Sequence, residues 1–337
     1  MNHKDLENCR EINQSSKKIL DNPMFWLRKF RGLSKKNRND WTKVIQSVKN
    51  TEKEVFISSY LKWNLNKTNV IDLPCYTSPA VQREFMKNIK KSCKAKKSSD
   101  ECTEIVKVMA PLMKNPNTPD KDGRTSIYWA AFKGHTEIVK ILAQLTNHPN
   151  SPDKDGETAI YKAAYEGHTE IVKFLAPLTQ NPNAPDKDGC TPIYCAVVFG
   201  HLEIIKFLAP LTDNPNSPCK DGKTPIYEAA WRGEVEIAKF LAPLTENPNA
   251  PCNNGKTPIY VAAEEDEFES PGKAKRRTQI VKFLAPLTEN PDAPDEHGKT
   301  PSSVTNRSAV RKFLKSFNTS SSSKPNDEPL AKRAKKF

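Results

Sequence analysis

The pattern of apolar and polar residues repeats along the middle of the chain and has the spacing of short helices. In residues 159–166, AIYKAAYE, Ile160, Ala163 and Ala164 recur at i, i+3 and i+4, which places them on one face of a helix. Thr158 precedes this stretch as a candidate N-cap. The pattern therefore predicts a helix that buries one small-residue face.

A second helix is predicted immediately after the first. Gly167 permits a sharp turn, because glycine takes a positive φ without a steric cost. The apolar stripe of the segment that follows, TEIVKFLA, comprises Ile171, Val172, Phe174 and Leu175. Pro177 lacks an N–H donor, so we expect the second helix to end close to it.

This helix pair recurs along the chain with a fixed period. The glycine of the intervening DG turn falls at 123, 156, 189, 222 and 255, a spacing of 33 residues. The next one is Gly298, 43 residues on, so one copy carries a ten-residue insertion within 264–277. We expect the inserted EEDEFESPGKAKRR segment to be a solvated loop at the turn between two helices. The fixed period predicts a solenoid of stacked units.

The repeat DGxTPIYxAAxxGHxEIVKFL resembles the ankyrin repeat. Tyr128, Tyr161, Tyr194, Tyr227 and Tyr260 stand where that family usually has His, and Thr146, Thr179, Thr212, Thr245 and Thr288 replace its helix-ending Gly. The resemblance implies an all-α fold, with an ankyrin solenoid of about five full repeats plus terminal caps over residues 81–318. It also implies a protein–protein interaction module whose first helices line a concave groove.

A few positions vary between copies that otherwise share most residues, and they hold bulky aromatic and charged side chains. Neutral drift on a solvated face is one explanation, but two Trp, two Phe and one Tyr among them favour a binding surface. The predicted partner-binding groove comprises Arg124, Trp129, Phe132, Lys133, Glu157, Lys162, Tyr165, Glu166, Phe199, Lys223, Glu228, Trp231, Arg232, Lys256, Glu264 and Glu265.

Residues 1–80 are predicted to form a separate small helical module. Within it, residues 5–31 resemble the second half of an F-box, although Ser16 replaces the usual Trp and no LPxE-type first helix precedes the segment. The resemblance implies a Skp-type adaptor as a partner, bound through Leu6, Ile12, Leu20, Phe25 and Trp26. The chain would then be a substrate receptor of a cullin-type ubiquitin ligase. The alternative is a non-catalytic ankyrin scaffold or nuclear regulator without a ligase link.

Charge is concentrated at the two ends of the chain. Residues 1–100 hold 22 Lys and Arg against 10 Asp and Glu, and the tail from Thr319 holds 5 against 2. We attribute this basicity to solvated helical faces or a targeting signal rather than to nucleic-acid binding. Residues 319–337 are predicted to be a disordered basic tail, and Lys332, Arg333, Lys335 and Lys336 resemble a nuclear localisation signal. We expect the nucleus, the cytoplasm or both.

The sequence carries no motif that predicts catalysis, a metal or a cofactor. His135, His168 and His201 recur one repeat apart, about 10 Å, which is too far for a shared zinc site, so we expect them to tie the turns together. The DKDG turns lack the ligand series of a calcium loop. The eight cysteines form no CxxC pair, and no stretch is apolar enough for a membrane helix. We expect a reduced intracellular protein that is not an enzyme.

Overall fold

The computed structural model of the protein describes residues 115–265 and 269–319, together with Thr103, Val106, Lys107 and Ala110. Residues 121–139 and 148–319 of this part belong to one compact unit. The segment Lys140–Asn147 belongs to another unit, and within it Leu142 is fully buried.

The described elements are helices arranged in consecutive pairs, with no strand among the described residues. The twelve α-helices are α1 (Ser126–Phe132), α2 (Thr136–Ala143), α3 (Ala159–Glu166), α4 (Thr169–Leu175), α5 (Pro192–Val198), α6 (Leu202–Leu208), α7 (Pro225–Arg232), α8 (Val235–Leu241), α9 (Pro258–Ala263), α10 (Pro271–Leu284), α11 (Pro301–Val304) and α12 (Ser308–Thr319). The odd-numbered first helices pack on one another in chain order, and so do the second helices from α4 to α10. This all-α arrangement of helix pairs confirms the predicted fold class.

Each first helix begins at a threonine, as the sequence predicts. The hydroxyl of Thr158 accepts a hydrogen bond from the N–H of Tyr161 at 3.1 Å, and Thr125, Thr191, Thr224 and Thr257 cap their helices in the same way. The side chain of Asn183, in the turn before α5, accepts a further hydrogen bond from the N–H of Ile193 at 3.0 Å. Both bonds satisfy N–H groups that have no partner inside the helix.

The second helices end where proline interrupts them. Helix α4 stops at Leu175, and Ala176–Leu178 continue as a single 3₁₀ turn that contains Pro177. The same turn follows α6, α8 and α10, at Ala209–Leu211, Ala242–Leu244 and Ala285–Leu287. Of the predicted stripe, Ile171, Val172 and Leu175 are buried and Phe174 is half-buried.

The turns that connect one repeat to the next are tied to each other through the backbone. The N–H of Lys154 donates to Asp122 O at 2.9 Å, and the N–H of Lys187 donates to Asp155 O at 2.8 Å. The turn glycines allow this approach: a Cβ added to Gly156, which has a φ of 83°, would lie 3.0 Å from the Cα of Asp186. Each repeat therefore packs on the next through its turn as well as through its helices.

The insertion differs from the prediction. Its residues 271–277 are the start of α10, a helix of 14 residues that runs on into the second helix of its repeat. Ser270 caps this helix by accepting a hydrogen bond from the N–H of Lys273, and Pro271 occupies its first turn. Arg277 is fully buried. The expected solvated loop is therefore wrong for these residues, because a cap and a buried guanidinium hold them in a packed helix.

Candidate protein-binding surface

The aromatic residues predicted to line the groove lie within the first helices of successive repeats or directly after them. Phe199 is 46% exposed and Trp231 is 40% exposed, whereas Trp129, Phe132 and Tyr165 are half-buried. The rings of Tyr165 and Phe199, from neighbouring repeats, contact each other with their centroids 4.2 Å apart. We call these five residues the first-helix aromatic surface.

At one end of this surface Trp129 belongs to a packed cluster. The Trp129 ring packs edge-on against the rings of Tyr128 and Phe132, with ring centroids 5.6 and 6.2 Å apart. The guanidinium of Arg124 lies 5.7 Å from the Trp129 ring and is held by Asp153 of the next repeat, with 3.2 Å between Nε and Oδ2. Trp129 is therefore positioned by neighbours on several sides.

Trp231 is flanked by two cations. The Arg232 guanidinium lies 5.3 Å from its ring centroid, and the Lys273 ammonium lies 5.1 Å away. Lys273 comes from the first turn of α10, so the inserted segment contributes directly to the surroundings of Trp231. Trp231 as a whole is still 40% exposed.

Most charged residues predicted for the groove are paired within the chain. Lys162 contacts Glu157 at 2.6 Å, Lys256 contacts Glu264 at 2.8 Å, and Lys223 lies 4.0 Å from Asp221. Lys133 and Glu166 are exposed, and the Lys133 ammonium lies 4.3 Å from the Phe132 ring centroid. The exposed part of the predicted groove is therefore more aromatic, and its charges are more fully paired, than the sequence predicted.

Two glutamates predicted for the groove have structural roles instead. Glu228 is only 8% exposed and accepts a hydrogen bond from the hydroxyl of Tyr194 at 2.9 Å, so the position after each tyrosine does not regularly face solvent. Glu265 accepts a hydrogen bond from the N–H of Asn306 at 3.0 Å, and its carboxylate lies 3.7 Å from Arg307. The prediction that Glu228 faces a partner is wrong, because its carboxylate is turned into the packing between repeats.

The repeated tyrosines form a set of links between repeats that the sequence analysis missed. The hydroxyl of Tyr128 donates to Glu157, that of Tyr161 to Asp186 and that of Tyr260 to Asp295, at 2.8 to 2.9 Å. Burial and the adjacent carboxylates raise the pKa of Tyr128, so its hydroxyl stays protonated and donates. The clue in the sequence was a carboxylate 25 to 35 residues after each of these tyrosines.

Two of the three repeated histidines, His168 and His201, tie turns together as expected, whereas the buried Nε2 of His135 has no hydrogen-bond partner among the described residues. The Nε2 of His201 lies 3.3 Å from the carbonyl oxygen of Tyr165, and His168 hydrogen-bonds the backbone of Phe132. Burial lowers the pKa of both His135 and His168. In the part of the chain that the structure describes, no group of three or more His, Cys, Asp or Glu side chains is placed to hold a metal ion.

The DKDG turns are likewise held by local hydrogen bonds. The carboxylate of Asp153 accepts from the N–H groups of Asp155 and Glu157 at 2.9 and 3.0 Å. Asp186 and Asp295 make the same pair of bonds in their own turns. These aspartates are therefore turn-forming residues.

Comparison with known families agrees with this geometry. A family model of ankyrin repeats, three copies long, matches residues 93–186, 144–218, 178–252 and 210–295. The chain belongs to the ankyrin-repeat family, and ankyrin repeats are modules that bind protein partners. A search of curated proteins finds no match. Among the described helices, none has the length and apolar content needed to cross a membrane.

The remaining predicted site residues lie outside the described residues. They are the adaptor-binding candidates Leu6, Ile12, Leu20, Phe25 and Trp26 and the nuclear-signal candidates Lys332, Arg333, Lys335 and Lys336.

Proposed function

We propose that the chain is a non-catalytic recognition protein that binds a target protein through the first-helix aromatic surface. The observation that carries this proposal is the exposure of Phe199 and Trp231, at 46% and 40%, at the C-terminal ends of the neighbouring first helices α5 and α7. Large aromatic side chains dominate the binding energy of protein interfaces, because each buries a large rigid area at a small entropic cost.

The surroundings of these rings also support recognition. Tyr165 packs against Phe199, and Arg232 and Lys273 flank Trp231. Rings held in place lose little conformational freedom when a partner covers them. The surface is thus preorganised for contact with apolar side chains of a target.

Proximity labelling in cells tests this proposal with a matched pair of double variants. We expect Phe199→Ala with Trp231→Ala to lose labelled proteins that the wild-type chain enriches. The control replaces Leu211 and Leu244, which are 47% and 46% exposed but follow second helices. Equal loss in both double variants, or in neither, would contradict recognition through the aromatic surface.

We further propose that the recognised target is presented to a cullin-type ubiquitin ligase. The support for this is the sequence of residues 5–31, which resembles the second half of an F-box. An F-box binds its adaptor by burying an apolar helical surface, and a typical interface takes about 800 Å² from each partner.

Calorimetry with the purified chain and a Skp-type adaptor tests the ligase link, with Trp26→Ala as the matched variant. Because the segment resembles half of an F-box, we expect binding weaker than about 1 μM that Trp26→Ala abolishes. Absence of binding, or binding indifferent to Trp26, would favour a scaffold or nuclear regulator without a ligase link.

We also propose that the basic run at 332–336 directs the chain to the nucleus. The support is its composition, KRAKK, at the end of a Ser-rich and Pro-containing tail. Replacing Lys332 and Arg333 by alanine should shift a fluorescent fusion of the chain towards the cytoplasm. An unchanged distribution would show that these residues do not act as a nuclear localisation signal.

A further inference from the structure

Two cysteines occupy corresponding places in neighbouring turns. Cys190 directly follows the turn glycine Gly189, and Cys219 opens the equivalent turn one repeat later. Both side chains are half-buried, whereas Cys195 and Cys252 are buried, and all four are free thiols. The half-buried pair is therefore within reach of a small reagent.

The backbone brings these two turns together. The N–H of Lys220 donates to Asp188 O at 2.7 Å, which ties the two segments on either side of the cysteines. A Cβ added to Gly189 would lie 3.3 Å from the Cα of Cys219. The backbone next to Cys190 thus comes into close contact with the backbone of Cys219, and a disulfide requires such proximity.

An equivalent pair elsewhere in the chain shows that side chains at these two places meet. Arg124 and Asp153 hold the same positions two repeats earlier, and their side chains form an ion pair of 3.2 Å. Cys190 and Cys219 occupy these same two places two repeats later. The position that carries an ionic link in one repeat therefore carries two thiols in another.

We propose that Cys190 and Cys219 are a thiol–disulfide site that covalently links two neighbouring repeats when the protein meets a disulfide oxidant such as oxidised glutathione. One cysteine thiolate attacks the oxidant, forming a mixed disulfide and releasing one reduced glutathione. The second thiolate then attacks the protein sulfur and releases the other. The two protein thiols lose two electrons and two protons, and the oxidant gains them as two molecules of reduced glutathione.

The environment sets the rate of this exchange. Burial raises the pKa of Cys190 to about 12, with contributions from Asp186, Cys219 and Cys195. The attacking species is the thiolate, so the exchange is slow at neutral pH and accelerates as the pH rises. The disulfide should therefore form under sustained oxidation.

Mass spectrometry of the full chain tests the proposal. The chain is incubated with oxidised glutathione, free thiols are alkylated, and tryptic peptides are analysed without reduction. The wild type should give peptide 188–206 joined to peptide 207–220, and reduction should separate them. Peptide 188–206 also holds Cys195, so single serine variants assign the link.

The variants give distinct outcomes. Cys195→Ser should keep the cross-linked peptide, whereas Cys190→Ser and Cys219→Ser should each lose it. A cross-link that survives Cys190→Ser, that joins Cys219 to Cys9, Cys75, Cys93 or Cys102, or that never exceeds the mixed glutathione disulfide would overturn the proposal. The wild-type result does not depend on how any variant folds.

Discussion

At the scale of single residues, the links between repeats depend on polar side chains that are paired in the interior. The hydroxyl of Tyr194 donates to Glu228, a carboxylate that is 8% exposed and lies 3.5 Å from Arg232. When a buried carboxylate loses its hydrogen-bond donor, its desolvation is no longer compensated, and the folded state is destabilised. The hydroxyl of Tyr227, by contrast, faces the thiol of Cys252.

These two tyrosines give a matched comparison. We expect Tyr194→Phe to lower the free energy of unfolding by about 1–3 kcal/mol, because Glu228 is left without its donor. Tyr227→Phe should cost less than about 1 kcal/mol, since a thiol is a weak hydrogen-bonding partner. Urea unfolding of both variants measures the difference, and equal losses would contradict the role given to the buried carboxylate.

The buried histidines predict a pH dependence of stability. Burial lowers the folded-state pKa of His168, and the charge of His201 adds to this effect, whereas the backbone of Phe132 and Glu166 oppose it. The unfolded chain therefore binds more protons than the folded chain as the pH falls below about 6.5. The stabilising contribution is fully present above that pH and is lost as the pH drops through the folded-state pKa.

Replacement of His168 by glutamine tests this dependence. Between about pH 7.5 and about pH 5.5, the fall in unfolding free energy should be smaller for His168→Gln than for the wild type. His297→Gln, at a side chain that is 72% exposed, is the control. If the unfolding free energy of His168→Gln falls as much as that of the wild type, other groups cause the acid sensitivity.

At the scale of elements, α10 is the departure from the regular repeat. Its residue Arg277 is fully buried and contacts Glu269 at 2.7 Å, with 5% of the Glu269 side chain exposed. The same guanidinium donates to the carbonyl oxygens of Val261 and Glu264 at the end of α9. Arg277 therefore satisfies the C-terminal carbonyls of one helix from within the next.

Removal of this guanidinium should destabilise the extended helix. We expect Arg277→Ala to cost about 3–5 kcal/mol, because it leaves the buried carboxylate of Glu269 without its counter-charge. Trypsin should then cut more rapidly after Lys273, Lys275 and Arg276 than in the wild type. Lys275→Ala, on an exposed position of the same helix, is the control, and equal behaviour of the two variants would contradict the packed role of Arg277.

The sequence predicts regular elements well and their exceptions poorly. Thr158 marks a helix boundary through its side-chain hydroxyl, and Gly167 and Pro177 do so through their backbone, so these boundaries could be predicted without knowledge of the fold. The helix that starts at Pro271 was missed because charged residues 264–269 suggested a loop, although Ser270 and Pro271 carried the pattern of a helix start. Local capping residues were the better guide there.

The candidate surface could be predicted as a set of positions but not as a set of free side chains. The exposed rings of Phe199 and Trp231 lie where the variable positions suggested. Glu228 and Glu265 are taken up by contacts with other repeats, since pairing depends on residues 34 or more positions away. Such long-range partners are set by how the helix pairs stack, which the pattern within one repeat does not contain.

At the scale of the whole molecule, the residues proposed for recognition are different from those that form the core. Isoleucines such as Ile160, Ile193 and Ile226 are fully buried between helices and hold the repeats together. Phe199 and Trp231 lie at the C-terminal ends of the first helices that carry this core but remain 46% and 40% exposed. Their removal should therefore affect a partner far more than the fold.

The most direct test of this account is the affinity of a purified target for variants of the aromatic surface. By calorimetry, Trp231→Ala should weaken binding by about 2 kcal/mol, roughly 30-fold, with the melting temperature nearly unchanged. Leu211→Ala, at a side chain that is 47% exposed after a second helix, should leave the affinity unchanged. If Trp231→Ala binds as tightly as the wild type, or if it loses stability in proportion to affinity, the exposed aromatic residues are not the recognition surface.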